Sequence, residues 1–324
     1  MALTEIGRPR RKTIELKNRL KPGDWIFTTL TGAAALTLIL VIVGLFYTLT
    51  DEAWASITDS GPGFVWGTTW DPAKQDIGVW PFIVGTLITS VFALIFATII
   101  AVLVALFLVE VAPGWLSRPI SYLVELLAAI PSVVYGLWGV FVMGVFIRDR
   151  LGPVITATLG WMPWFDGTPL ITGLFSGCLI LTIMILPTVM AVSRDVIAAV
   201  PRSQREGILA LGATRWEGIR IAVLPYARSG VLGAAILGLA RAVGETLAVT
   251  LVIGNSVRIP DNIFAPAYTM ASVIANQFNE ATGIHRAALI EVALILLIIT
   301  FAINVVARLL VWRVTKGQRA VVQE

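Results

Sequence analysis

The chain has 324 residues, of which 57% are hydrophobic and only 14% are charged. Its mean hydropathy of +0.86 lies far above that of water-soluble domains, which excludes a soluble globular fold. A net charge of +4 would suggest nucleic-acid binding in a soluble protein, but the basic residues here concentrate at the ends of apolar segments, where they act as topology signals. We therefore expect a polytopic membrane protein, surrounded by membrane lipid, that binds no nucleic acid.

A single cysteine, Cys178, excludes an intramolecular disulfide, and a single histidine, His285, cannot form a multi-ligand metal site alone. We expect no metal centre.

Six apolar stretches are long enough to cross the hydrocarbon core of a bilayer. They lie at residues 25–49, 81–109, 119–147, 170–192, 230–253 and 287–312. The predicted fold class is an all-α polytopic membrane protein with six transmembrane helices. External loops are predicted at 50–80, 148–169 and 254–286, a cytoplasmic loop at 193–229, and cytoplasmic tails at 1–24 and 313–324.

The distribution of charge predicts the orientation. The tail before the first span is strongly basic, whereas the loop from Asp51 to Asp76 carries five acidic residues and only Lys74 as a base. Because basic loops stay on the cytoplasmic side, both termini and the 193–229 loop are expected in the cytoplasm. The tryptophans of the external loops (Trp54, Trp66, Trp70, Trp80, Trp161 and Trp164) are expected at the membrane interface, the alternative being a role in docking an external partner.

The cytoplasmic loop contains the most informative segment, residues 206–225. Residues 202–211, which overlap its start, predict a short helix with an apolar face at Ile208, Leu209 and Leu211. Gly212 predicts a sharp turn, and Pro225 is expected to end the segment because proline cannot donate a backbone hydrogen bond inside a helix. The expected shape is helix, turn, helix. An ordinary amphipathic connector is the alternative.

This segment resembles the "EAA" loop of ABC importer permeases, although Gly207 and Ile208 replace its paired alanines and Ala222 replaces its usual isoleucine. In that family the loop docks in a cleft of the nucleotide-binding subunit and transmits its closure to the membrane helices. The resemblance implies that ATPase coupling involves Arg205, Glu206, Ala210, Leu211, Gly212, Ala213, Thr214 and Arg215.

Charged residues inside the fifth span are candidates for the solute path. Arg241 and Glu245 are four residues apart, so on a continuous helix they would share a face and form an ion pair. Arginine also suits an oxyanion, since its guanidinium donates two parallel hydrogen bonds. We therefore predict that Arg241, together with Thr246 or Thr250, forms an oxyanion path. Glu245 is expected to hold Arg241 when that path is empty. A pair that only fixes helix packing is the alternative.

Pro131 interrupts the third predicted span and must leave a carbonyl near residue 127 without its helical partner. Ser132, Tyr135 or water could supply a hydrogen-bond donor. Ser132 is the further candidate for the path. Glu125 is expected to pair with Arg118 or with an arginine of the cytoplasmic loop.

Three motifs, at residues 80–90, 129–139 and 241–246, are similar to those of phosphate ABC importer permeases of the PstC type, and the likeness extends over about residues 64–313. It implies the type I ABC importer permease fold, the plasma membrane of a bacterium or archaeon, and inorganic phosphate as solute. The implied partners are a PstA-like permease subunit, two PstB-like ATPase subunits and a PstS-like phosphate-binding protein.

The sequence contains no Gly-x-x-x-x-Gly-Lys-Ser/Thr motif, so the chain is expected to be no enzyme and to carry no cofactor, with ATP and Mg on the partner ATPase. The alternatives are a permease for sulfate or molybdate, an ATP-independent transporter, and a membrane scaffold or sensor.

Overall fold

The structure, a computed structural model, describes residues 22–321, with side chains over residues 23–313. The basic residues predicted to orient the first tail, and the side chains after residue 313, lie outside this range. Within it, six helices are long and apolar enough to cross a membrane, which confirms the expected number of spans. They are Gly23–Ser60, Trp80–Val111, Ser132–Leu159, Leu174–Ala198, Arg215–Gly244 and Gly283–Arg313.

The individual elements, in chain order, are as follows. The first half contains α1 (Pro22–Ser60), α2 (Gly63–Trp66), β1 (Trp70–Asp71), β2 (Asp76–Ile77), α3 (Trp80–Leu106), α4 (Gly114–Ala128), α5 (Ser132–Trp138) and α6 (Gly152–Leu159). The second half contains α7 (Leu174–Ala198), α8 (Arg202–Ala210), α9 (Arg215–Gly218), α10 (Leu224–Gly244), α11 (Leu247–Val252), α12 (Met270–Gln277) and α13 (Gly283–Val321). Wider π-helical turns occupy Phe107–Val111, Gly139–Gly144, Ile147–Leu151 and Ile219–Val223.

Internal contacts divide the chain into two units, residues 1–48 and 49–324. The described part of the first unit is the apolar portion of α1. Its threonine hydroxyls donate to backbone carbonyls four residues earlier, which satisfies polar groups that would be costly in hydrocarbon. These bonds are made by Thr28, Thr29, Thr31 and Thr37.

The core of the second unit is the pair of helices α3 and α7, which make the most extensive contact between any two elements. One face of α3 presents an alanine every fourth residue, at Ala93, Ala97, Ala101 and Ala105, and all four are fully buried. Small side chains let two helix backbones approach closely, which is how helices associate in a membrane. The alanine face therefore explains the tight α3–α7 pair.

The third span differs from its predicted bounds. The helical run expected at 119–147 is interrupted after Ala128, and Pro131 adopts extended backbone with ψ 141°. The chain then continues as one helical run from Ser132 to Leu159. Since the proline ring excludes the helical hydrogen bond at its own nitrogen, α4 becomes a separate helix and the third span moves toward the C-terminus.

The fifth span also differs. A continuous helical run extends over Arg215–Gly244, so the prediction that Pro225 ends the segment is wrong. The π-helical turn Ile219–Val223 comes directly before the proline, and such a turn widens the helix where the ring would otherwise clash. The run ends instead at Gly244, before the short helix α11, so the predicted span 230–253 is broken near its end.

The chain between the first two spans folds into a small aromatic core, and Trp70 belongs to that core and not to an interfacial belt. Its side chain is only 8% exposed, its Nε1 donates to Gln277 Oε1 at 2.9 Å, and its ring packs edge-on against Phe82. The β1–β2 hairpin positions Trp70, with Gln75 in the left-handed region at φ 59°. Trp54, Trp66 and Trp161 are exposed.

Candidate functional site

Two regions contain the predicted site residues. One is where α4 gives way to α5 and α10 gives way to α11, called here the helix-break region (residues 127–136 and 241–251). The other is the loop formed by α8, its turn and α9, called here the 202–218 loop. The helix-break region contains the predicted solute path, and the 202–218 loop contains the predicted coupling residues.

The helices that follow the two breaks pack closely against each other. A Cβ atom on Gly136 of α5 would lie 3.1 Å from Ala248 Cα of α11, and one on Gly139 would lie 2.7 Å from Val252 Cγ1. Gly136 of α5 thus meets the start of α11, and Gly139, the first residue of the π-helical turn that continues α5, meets its end, so the two segments run in parallel. Both begin at the same end, and the two breaks are brought together.

A hydrogen bond spans the break in the third span. Tyr135 Oη donates to the carbonyl oxygen of Leu127 at 2.8 Å, which confirms the prediction that a carbonyl near residue 127 finds a partner in Tyr135. The guanidinium of Arg241 lies close enough to act electrostatically on the Tyr135 hydroxyl. Arg241 and the third-span break therefore lie near each other, and Ser132, half-buried, is the first residue after that break.

The predicted ion pair between Arg241 and Glu245 is not formed. Helix α10 ends at Gly244, and Glu245 is extended with ψ 127°, so the two residues no longer follow the geometry of a continuous helix. Among the described side chains, neither residue belongs to an ion pair within 4.0 Å. Arg241 is exposed and Glu245 half-buried. The guanidinium therefore keeps its donors for another acceptor.

The two predicted threonines are engaged with backbone. Thr246 Oγ1 donates to the Gly244 carbonyl at 3.2 Å, and Thr250 Oγ1 donates to the Thr246 carbonyl at 2.7 Å. A hydroxyl has only one hydrogen to donate, so neither threonine offers a donor to an anion in this arrangement. The bonds stabilise the chain around the second break instead.

The 202–218 loop has the predicted helix-turn-helix shape. Gly212 adopts φ +85°, a region that glycine enters without steric cost, and a Cβ there would meet no atom within 4 Å. Thr214 caps α9 in a reciprocal arrangement with Glu217, whose carboxylate accepts the Thr214 backbone N–H at 2.7 Å. Backbone conformation, and not crowding, explains the glycine.

The loop presents apolar side chains outward. Leu211 is 88% exposed and Trp216 is 63% exposed, whereas Ile208 turns toward Gly218 and is half-buried. Exposed apolar side chains of this size on a loop are available for contact with a partner. Of the other predicted coupling residues, Ala213 is half-buried and the exposed ones are Glu206, Ala210, Gly212, Thr214 and Arg215.

Arg205 has a different position from its predicted companions, because it bonds within the chain. Its Nε and Nη2 lie 3.0 and 2.9 Å from Glu110 Oε1, at the end of the π-helical turn that follows α3. Nη1 and Nη2 also donate to the carbonyls of Val200 and Ile197 at 2.6 and 2.7 Å. Arg205 thus joins α8 to the ends of α3 and α7.

Glu110, the partner of Arg205, is a residue that the sequence analysis does not predict. It is the carboxylate at the end of the second apolar run, and its side chain is 14% exposed against 21% for Arg205. A carboxylate at the end of a span was the available signal, but its partner is 95 residues away in sequence.

The prediction for Glu125 is confirmed, since it pairs at 3.2 Å with Arg194 of the predicted cytoplasmic loop.

Over the residues that the structure describes, no three His, Cys, Asp or Glu side chains come together as metal ligands would.

Comparison with known proteins identifies the family. Residues 97–316 match the family described as "Binding-protein-dependent transport system inner membrane component". The phosphate transport system permease protein PstC of Haemophilus influenzae is 42% identical over 299 residues, covering 90% of this chain and 95% of its own length. PstC of Pasteurella multocida is also 42% identical, over 95% of this chain and 98% of that protein. PstC of Mesorhizobium japonicum is 40% identical, over 97% and 96%.

Among solved structures, inward-facing conformations of the MetNI methionine ABC transporter share the fold. One of its chains aligns with a TM-score of 0.53 at 19% identity, covering 76% of this chain and 99% of that chain. The fold is that of a type I ABC importer permease. With its six apolar helices, the chain is a multi-pass protein of the plasma membrane and one component of an ABC importer that has other subunits. The chain belongs to the binding-protein-dependent transport system inner membrane components and, within them, to the PstC group of permease proteins.

Proposed function

We propose that this chain forms half of the membrane path of an ATP-driven importer of inorganic phosphate. The observation that carries the proposal is Arg241, an exposed guanidinium without an ion pair among the described residues, placed where two apolar helices break. The full-length similarity to proteins named phosphate transport system permeases supports phosphate as the anion.

Arg241 acts as the anion-binding group of the path. Its planar guanidinium donates two parallel hydrogen bonds to two phosphate oxygens, and a charge at this position in an apolar span is unfavourable without a counter-charge or water. Ser132 and Tyr135 line the neighbouring break. Glu245 limits the residence time of the anion by approaching Arg241 when the path is empty, which requires the segment after Gly244 to move. Thr246 and Thr250 hold that segment in place.

The 202–218 loop is the docking surface for a separate ATPase. Exposed Leu211 and Trp216 supply the apolar contact, and Glu206, Thr214 and Arg215 are exposed on the same loop. Arg205 then transmits the displacement of α8 to α3 and α7 through its bonds to Glu110 and Ile197. The ATP and Mg are held by the ATPase. The chain itself carries no cofactor and catalyses no reaction, consistent with the missing phosphate-loop motif.

The complete importer contains this chain, a PstA-like permease subunit, two PstB-like ATPase subunits and a PstS-like phosphate-binding protein. The 202–218 loop, and with it both termini, faces the cytoplasm. The charge asymmetry between the basic first tail and the acidic 51–76 loop supports this orientation.

The proposal is tested by radiolabelled phosphate uptake in phosphate-starved cells lacking this gene, with and without the restored chain. Unlabelled arsenate, sulfate or molybdate is added as competitor. We expect restored uptake that arsenate blocks and that sulfate and molybdate leave unchanged. Failure to restore uptake, with the chain present and its ATPase and binding-protein partners intact, would reject phosphate as the solute.

A further inference from the structure

A groove of about 350 Å³ lies between α10 and α13, outside the two regions already described. One wall is formed by Gly233, Leu237 and Ala240 of α10, and the other includes Asn304 and Arg308 of α13. The α10 wall offers only apolar side chains. Any polar ligand in the groove is therefore held from α13.

Arg308 is the charged group of this groove. It is exposed and, among the side chains that the structure describes, belongs to no ion pair within 4.0 Å. Asn304 lies one helical turn away on the same face, and its Nδ2 donates to the Thr300 carbonyl at 2.9 Å. An amide nitrogen has two hydrogens, so a second N–H remains. Together the two residues offer the charged guanidinium N–H donors of Arg308 and one neutral N–H donor of Asn304.

The groove extends along α10 from Gly233 to Ala240, the residue before Arg241. Because α10 and α13 are successive spans, they cross the membrane in opposite directions, so Asn304 lies at the Ala240 end of the groove and Arg308 lies closer to the end that carries the 202–218 loop. Gly233, Leu237 and Arg241 are spaced four residues apart and share a face of α10. From Gly233 to Ala240 the helix rises about 10 Å. Arg308 thus lies across the groove from the α10 face that carries Arg241, and closer to the 202–218 loop.

We propose that Arg308 and Asn304 form a binding site for a phosphoryl group, on the loop side of Arg241. The guanidinium binds two phosphoryl oxygens and the Asn304 amide binds a third, a pairing that arginine geometry favours over lysine. The phosphoryl group is either free inorganic phosphate leaving the path or the headgroup of an anionic phospholipid. The first source rests on the proposed function, whereas the second does not.

The test uses the whole importer, purified with its partner subunits and reconstituted in vesicles that contain ATP. Uptake of radiolabelled phosphate is measured while unlabelled inorganic phosphate inside the vesicles is increased. If free phosphate is the occupant, Arg308→Gln raises the internal concentration that halves uptake about tenfold, since a charge-assisted hydrogen bond to an oxyanion is lost. Arg308→Lys gives a smaller increase. Arg313→Gln, which removes an arginine of the same helix outside the groove, leaves the concentration unchanged.

The lipid source is measured on the same preparations. The importer is purified from vesicles of phosphatidylcholine and phosphatidylglycerol, and retained phosphatidylglycerol is counted by native mass spectrometry. If a headgroup is the occupant, Arg308→Gln loses one retained phosphatidylglycerol that Arg313→Gln keeps, while inhibition by internal phosphate is unchanged.

An unchanged inhibition curve together with unchanged lipid retention in Arg308→Gln would overturn the site. If Arg308→Gln does not assemble, Asn304→Ala provides the same two measurements and is held to the same criterion. A wild-type importer that moves no phosphate would reject the proposed function, and the lipid count would still decide whether the site exists.

Discussion

The 202–218 loop and the helix-break region owe their shapes to different kinds of interaction. The loop is shaped locally, by the positive φ of Gly212 and the cap between Thr214 and Glu217. The helix-break region is shaped by contacts between helices, such as Gly136 against Ala248. Locally determined structure leaves side chains free to meet a partner, whereas packed structure fixes the position of a charge. We therefore expect substitutions in the loop to affect coupling to the ATPase, and substitutions at the breaks to affect binding and transport of the solute.

The largest effect is expected for Arg241→Gln. Removing the only charge-bearing donor at the two breaks should lower phosphate uptake at least tenfold, because charge-assisted hydrogen bonds to an oxyanion are worth about 1.5–3 kcal/mol. Glu245→Gln should lower uptake by less, because it slows release of the anion but leaves in place the Arg241 donors that bind it. Uptake by restored cells, normalised to the amount of protein in the membrane, measures both. Full uptake by Arg241→Gln would remove the helix-break region from the path.

A second large effect is expected for Arg205→Met, because Glu110 would keep a poorly solvated charge without its partner. The substitution should destabilise the protein by about 1–3 kcal/mol and uncouple ATP hydrolysis from uptake. Thermal unfolding of the purified importer and the ratio of ATP hydrolysed to phosphate moved measure these two effects. Arg202→Met, an exposed arginine of the same helix, is the matched control. Equal results for the two arginines would contradict an anchoring role for Arg205.

Leu211→Asp should separate coupling from stability. The side chain is 88% exposed, so a charge there costs the isolated chain little, but it would be buried against the ATPase. We expect the ATPase to copurify at a reduced level and uptake to fall several-fold, with an unchanged unfolding temperature for the permease. Copurification at the wild-type level would show that the ATPase docks elsewhere.

The smallest effect is expected for Gly212→Ala. A left-handed residue with a Cβ costs about 1 kcal/mol, and no neighbouring atom adds a clash. Gly207→Ala is the matched control, since it lies inside α8 with equally open surroundings and should be neutral or stabilising. Gly212→Ala should therefore lower the unfolding temperature, whereas Gly207→Ala leaves it unchanged or raises it. A destabilised Gly207→Ala would indicate that the loop is not locally determined.

Sequence reasoning succeeded where the determinants are local. The length of the apolar runs predicts six spans, and Gly212 predicts the turn of the 202–218 loop. Pro131 predicts a free carbonyl near residue 127, which accepts the hydrogen bond from Tyr135. Each of these depends on residues that are close in sequence, within one apolar run or within about two helical turns. The same reasoning placed Pro225 incorrectly, because nothing in the local sequence distinguishes a helix end from a π-helical turn that accommodates a proline.

The remaining features depend on distant residues. The end of α10 at Gly244 is not marked by proline, and it coincides with the packing of α11 against α5. The bond between Arg205 and Glu110 joins two segments 95 residues apart, and the burial of Trp70 depends on Gln277, 207 residues away. Such contacts follow from the way the helices assemble. A pattern read along one segment does not contain them.

The alanine face of α3 has a mechanical consequence. Ala93, Ala97, Ala101 and Ala105 let α3 and α7 touch nearly backbone to backbone, leaving little soft side-chain material between them to deform. Arg205 holds the ends of both helices, through Glu110 and Ile197. The 27 residues of α3 extend about 40 Å, so α3 and α7 form a stiff helix pair that Arg205 holds at one end. A small tilt imposed at the Arg205 end becomes a displacement of the opposite end of the pair, on the far side of the membrane.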